Sequence, residues 1–179
     1  MAVKSFTNQD GSCFQIPNPG GVRRILVALC KDIDNDWPKV ADIVGGEIQV
    51  LPVMVAGKKF AEYECPNQTI DIMSQSQGDP GYMGFSHSIN FSMAGYSKEL
   101  VSEMSKHRNA GSVYIVEQND GQYCVVGCSD RPIFLKSDFK TGKKGADKRG
   151  FDLKGTQDGI MFDITPLKAT LVATIPVIV

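Results

Sequence analysis

Apolar and polar residues alternate with a period of two along most of this chain, the signature of half-buried strands. The clearest run is Gly84 to Met93, where Phe85, His87, Ile89, Phe91 and Met93 fall on one face and Ser86, Ser88, Asn90 and Ser92 on the other. The first face suits a core, and the second is small, polar and uncharged. Ala61, Tyr63 and Cys65 alternate in the same way with Glu62 and Glu64, and Ile70 and Ile72 flank Asp71. Residues 112–118 and 122–128 read as two strands joined by Asn119-Asp120-Gly121. That is a strong hairpin signal, because glycine accepts the positive φ such turns require. Residues 21–30 and 47–55 are apolar on both faces. They predict strands sandwiched between layers, supplied by a second sheet or by another subunit.

One segment shifts to a helical period. Ser97 is placed to cap it and Glu99 to complement its dipole, with Leu100, Val101 and Met104 forming an apolar stripe and Asn109 and Gly111 ending it. His107 falls in its last turn, where a positive charge is favoured. A shorter helical turn is expected within residues 37–46. The sum predicts a mainly β fold, an antiparallel β-sandwich or barrel with one flanking α-helix, as a single domain over residues 1–179.

Residues 136–157 place four glycines among Lys140, Lys143, Lys144, Lys148, Arg149 and Lys154. This is not a phosphate loop, since no upstream glycine stands at the required spacing and no hydroxyl follows Gly142-Lys143-Lys144. Its flanks are strand-like, so it reads as a long β-hairpin arm with Lys140, Lys143, Lys144, Lys148 and Arg149 as contacts to a neighbouring subunit. Residues 169–179 carry no charge at all. They predict an apolar C-terminal strand, an aggregation hazard in water unless it is buried in its own fold or against a neighbour. Pro176 suits a strand edge.

Composition narrows the classes. The 179 residues are 42% hydrophobic and 22% charged, with a net charge of -1, so no global basic field points to nucleic acid or membrane. No apolar run approaches the ~20 residues of a bilayer span, which predicts no membrane insertion. Five cysteines and no charged-then-apolar leader argue against a secreted disulfide scaffold and for synthesis in a reducing cytoplasm.

Candidate chemistry is sparse. Asp32, Asp34 and Asp36 begin like a calcium loop, but Trp37 stands where the sharp turn needs glycine and Ile43 where a bidentate glutamate belongs. Cys124 and Cys128 on one strand face would lie about 13 Å apart, too far for one zinc ion. Residues 84–88 miss the nucleophile elbow because Ser88 replaces its second glycine. His87 lies among apolar neighbours as a core histidine. No nucleophile, base and orienter come together, so neither an enzyme nor a cofactor or metal site is expected.

The order of these elements resembles the tail tube proteins of long-tailed phages and the related tube protein of type VI secretion. The elements concerned are the strands from Glu47 to Met93, the helix at 97–108 and the hairpin arm at 136–157. The resemblance implies subunits that form hexameric rings and stack into a virion tail tube, with inner sheets joined around a lumen through which DNA passes. It further implies that Ser86, Ser88, Asn90 and Ser92 line the lumen, with Glu62, Glu64 and Asp71 repelling phosphate. Its implied partners are copies of the chain, other tail components and DNA held without sequence preference. Two other roles remain open: a head–tail connector, tail terminator or decoration protein, and a cytoplasmic nucleic-acid-binding module using the basic arm.

Overall fold

A computed structural model describes residues 6–7 and 19–178. The period-two pattern resolves into two antiparallel sheets. The first is built from β1 (Val22–Leu29), β4 (Ala61–Tyr63), β7 (Gly111–Gln118), β8 (Tyr123–Val126), β9 (Ile133–Phe134) and β12 (Thr165–Pro166). Its order is β12-β8-β7-β1-β4, with β9 continuing along β7 beyond β8. The second sheet contains β5 (Asp71–Gln77), β6 (Gly84–Ala94), β10 (Lys136–Lys140) and β11 (Gly150–Ile160), in the order β10-β11-β6-β5. A two-stranded ribbon, β2 (Ile43–Val44) and β3 (Glu47–Ile48), lies outside both. The chain is mainly β, 43% strand and 12% helical. Among the described residues no helix is long and apolar enough to cross a membrane.

Two apolar layers explain the strands that are apolar on both faces. Between the sheets lie Ile25, Val27, Tyr114, Val116 and Val126, packed against Ile89, Phe91, Phe151 and Leu153. The opposite face of the first sheet carries Leu26, Ala28, Val113, Ile115 and Val125, covered by Trp37, Ile48, Phe60 and Leu167. β1 and β7 are therefore buried on both sides by the chain itself. Trp37 anchors the outer layer, wholly buried and donating its indole N–H to the Val50 carbonyl at 2.8 Å.

The helix α1 (Lys98–Lys106) forms as the pattern predicts, with the Ser97 hydroxyl accepting from the Leu100 amide at 3.1 Å. Met104 enters the inter-sheet core and Leu100 packs beside it, while Val101 faces out. Ser97→Ala is expected to lower stability by about 1 kcal/mol. At this chain length that is a shift of roughly 2–4 °C in a thermal melt. An unchanged melt would remove the cap from the account.

Three expectations need correction. Residues 47–55 are not one strand: after β3 the chain runs extended past the buried Pro52, touching residues 32–35 through single bonds such as Asp34 N–H to Val53 O at 2.8 Å. Proline's missing N–H interrupts a ladder there. The short helical turn expected within 37–46 does form, as a single 3-10 turn at Val40–Asp42. The C-terminal strand at 169–179 is instead a short helix, α2 (Ala169–Val172), followed by an extended stretch, and Val179 lies outside the described residues. Leu171, Val172, Ile175 and Val177 pack onto the outer layer, so the apolar tail is taken up by the chain's own fold. Pro176 does sit at an edge: its carbonyl accepts from Phe60 N–H at 2.8 Å, while Ile178 N–H returns to Phe60 O at 2.9 Å. Lastly, the hairpin at 136–157 is not a free arm. β11 pairs with β6 from Gly150↔Ala94 to Ile160↔Phe85, because Phe151 and Leu153 face the core. β10 and the tip, residues 136–149, are exposed throughout.

Candidate assembly surface

Residues directly opposite in an antiparallel ladder share a face. The registers therefore assemble the outer face of the second sheet row by row. Lys136, Lys154, Asn90 and Asp71 form one row, and Asp138, Asp152 and Ser92 the next. Thr156, Ser88 and Met73 form another, with Ser86 and Gln75 beyond. Lys136, Asp138, Lys140, Lys154, Thr156, Asp71, Met73 and Gln75 are all exposed, so the face is open across its width. Lys136, Lys140 and Lys154 balance Asp71, Asp138 and Asp152. Lys140 bridges Asp152 at 2.7 Å, and Ser92 donates to the same carboxylate at 2.8 Å. Lys140 and Ser92 hold Asp152 below the usual carboxylate range.

This placement divides the seven residues expected to face a lumen. Ser86, Ser88, Asn90, Ser92 and Asp71 do share the polar face. Ser86 and Ser88 are only 6% exposed, however, because these short side chains stand between larger ones on the neighbouring strands. The contour of the face belongs to Lys154, Thr156, Met73 and Gln75, which the single-strand pattern did not reveal. Glu62 is on the other sheet, turned to its far side, since alternation sends the adjacent Tyr63 into the core. There it bridges Arg24 at 3.1 Å, within a cluster where Arg24 also binds Glu117 at 2.6 Å and the Tyr123 hydroxyl. Glu64, one residue past β4, is exposed beside that same sheet. The two glutamates are therefore not part of the polar face.

The basic residues of the hairpin have distinct surroundings. Asp147 turns the tip by accepting from the amides of Lys143 at 2.7 Å and Lys144 at 2.9 Å. Arg149 lies over the Tyr96 ring, 5.8 Å from its centroid. Tyr96, Phe139 and Phe151 stack beneath it, with centroids 4.8 to 6.5 Å apart. Lys140, Lys148 and Arg149 border a recess of about 610 Å³ closed on its other side by Pro66, Asn67 and Thr69. Lys143, Lys144 and Lys148 reach into solvent.

Two histidines are buried instead of surface groups. His87 accepts from Gly127 N–H through Nδ1 at 3.2 Å and donates from Nε2 to the Phe162 carbonyl at 2.9 Å, tying the two sheets together as a neutral imidazole. His107 is 4% exposed, and burial lowers its pKa, which corrects the expectation of a positive charge there. Its Nε2 lies 2.8 Å from the Tyr63 hydroxyl, which donates to Glu103 at 3.0 Å, and Lys106 closes the chain on Glu103. These groups border a recess of about 740 Å³ with Asp32, Lys58 and Lys59 across from them. Burial keeps Tyr63 protonated, while Lys106 and Tyr63 outweigh burial and hold Glu103 ionised. The chain of bonds clamps α1 to β4. No group of three or more metal-ligating side chains gathers among the described residues. No protein-family model, curated protein or solved structure matches this chain.

Proposed function

We propose that the chain is a structural subunit that joins copies of itself side by side through the second sheet, forming rings that stack into a tail-tube-like conduit for DNA in a virion. The observation that carries this reading is a four-stranded sheet with one face packed on the core, the other open and polar, and a strand at each end of the sheet order.

Topology supports ring closure. β10 runs parallel to β6, and β5 runs antiparallel to both. Copies related by rotation about one axis therefore bring β5 of one subunit antiparallel to β10 of the next. Such head-to-tail contacts close into a ring when the rotation divides a full turn. Closure also removes two strand edges that otherwise invite aggregation. The wall so formed would carry equal numbers of lysines and aspartates, with serine, asparagine and glutamine between them. A surface of that kind neutralises few phosphates in any one place and lets a duplex pass without sticking.

The test is Met73→Lys with Gln75→Lys, two exposed sites on β5. In a ring these lysines would add positive charge along the edge that joins the neighbouring β10, which carries Lys136 and Lys140. The variant is expected to keep the wild-type melting temperature while electron microscopy shows its rings lost to single subunits. Wild-type protein that stays monomeric at high concentration defeats the proposal. Single rings that never stack would favour the connector role instead.

A further inference from the structure

The two ends of the second sheet carry opposite charge. β6 and β11 each span 11 residues, which separates their ends by roughly 35 Å. At the Ala94–Gly150 end the hairpin tip presents Lys143, Lys144, Lys148 and Arg149 against a single carboxylate, Asp147. At the Phe85–Ile160 end lie Asp79 in the β5–β6 turn, Asp158 near the end of β11 and Asp163 just after it. Asp130 and Arg131 adjoin them, the Arg131 guanidinium lying against Gly159. Net charge is about three positive at the first end and three negative at the second.

Each end also exposes large apolar side chains beside its charges. Tyr96 and Phe139 flank the basic tip at 55% and 40% exposure, whereas Tyr82, Met83 and Met161 flank the acidic end at 87%, 63% and 79%. Both ends are shaped. Asp147 folds the tip, and Tyr82 N–H to Asp79 O at 2.8 Å closes the acidic turn. Gly78 fits that turn because its φ is +105°, and an added Cβ would lie 2.5 Å from the Tyr82 carbonyl oxygen.

We infer that the 141–149 tip of one copy docks on the acidic turn around Asp79 and Asp158 of the copy stacked above it, so that stacking is polar and charge-driven. This rests on the ring reading of the preceding subsection and adds the site at which rings meet. Opposite charges set register and approach, and methionine against aromatic rings supplies an adaptable apolar contact. Because both surfaces belong to one chain and lie at opposite ends, the contact repeats without limit.

Charge reversal at exposed positions tests it in two halves. Lys143→Glu, Lys144→Glu and Lys148→Glu reverse the tip, and Asp79→Lys with Asp158→Lys reverse the turn. Either set alone is expected to leave rings intact by electron microscopy and to abolish tubes, and the two sets combined are expected to restore tubes. Raising salt from 0.05 to 1 M should likewise disperse wild-type tubes into rings, since the screening length falls to about 3 Å. Tubes formed equally well by either single set, or rings that do not regain stacking in the combined variant, overturn the inference while leaving ring formation standing. A wild-type protein that forms no rings overturns both.

Discussion

Stability is expected to fall as the pH drops from 7 to 5, and the two buried histidines are the cause. Burial lowers the pKa of both His87 and His107 from the ordinary 6.5, outweighing the Phe162 carbonyl and Asp163 beside the first and Glu103 beside the second. Lys106 pushes His107 in the same direction as burial. A group held neutral in the fold gives up no stability above its unfolded value. Below that value the unfolded chain takes protons first, and stability is lost as pH falls through 6.5. The slope is at most about 1.4 kcal/mol per pH unit for each histidine. Paired carboxylates such as Glu117 and Asp152, whose values are lowered, add their own loss only at more acid pH. Urea unfolding at pH 7, 6 and 5 measures the effect. His87→Gln should flatten the profile while lowering stability at pH 7 by about 1–3 kcal/mol, because Gly127 N–H is left without its acceptor. Equal unfolding free energies at pH 7 and 5 would exclude the mechanism.

Gly155→Val is expected to lower stability by about 3 kcal/mol or more, roughly 6–12 °C in a melt. Gly155 lies on the core side of β11, where the chain passes from β9 in one sheet through Leu135 to β10 in the other. A Cβ there would stand 2.5 Å from Ile133 Cγ2, 2.9 Å from Leu135 Cδ2 and 3.1 Å from the Phe134 carbonyl oxygen. Ile133 has no room to withdraw: it is fully buried, and its far end touches the site of a second glycine, Gly127, at 3.2 Å. The isoleucine is a wedge between two glycines, and the sandwich corner closes only because both lack side chains. Combining Gly155→Val with Ile133→Ala should recover part of the loss, as expected for residues in contact. A single variant that melts like wild type would show that the corner is loosely packed.

Neither glycine stands out in the sequence, since each reads as one more break in a strand-rich chain. What was legible followed from local rules. The face of β6 that bears His87, Ile89 and Phe91 is the core face, as alternation predicts. Ser97 caps α1, and Gly121 turns the β7–β8 hairpin with a φ of +85°. The polar face was half legible, because one strand shows which of its own residues turn outward and nothing of what stands beside them. Asp71 belongs with Asn90, while Glu62 belongs with Arg24 on the other sheet, though nine residues separate the two acids. The same gap hid Lys154, Thr156 and Met73, which shade the serines.

The sequence by itself determined the long strands, the capped helix and which side of each long strand meets a core. These depend on residues a few positions apart, whose geometry is set by backbone period and turn chemistry. Only the tertiary structure decided which strands lie side by side, that the apolar tail covers the chain's own first sheet, and that both histidines are buried neutral. Those outcomes depend on contacts between residues distant in the chain, such as His87 with Gly127 or Phe60 with Pro176, and one residue of register is enough to turn a side chain from one face to the other.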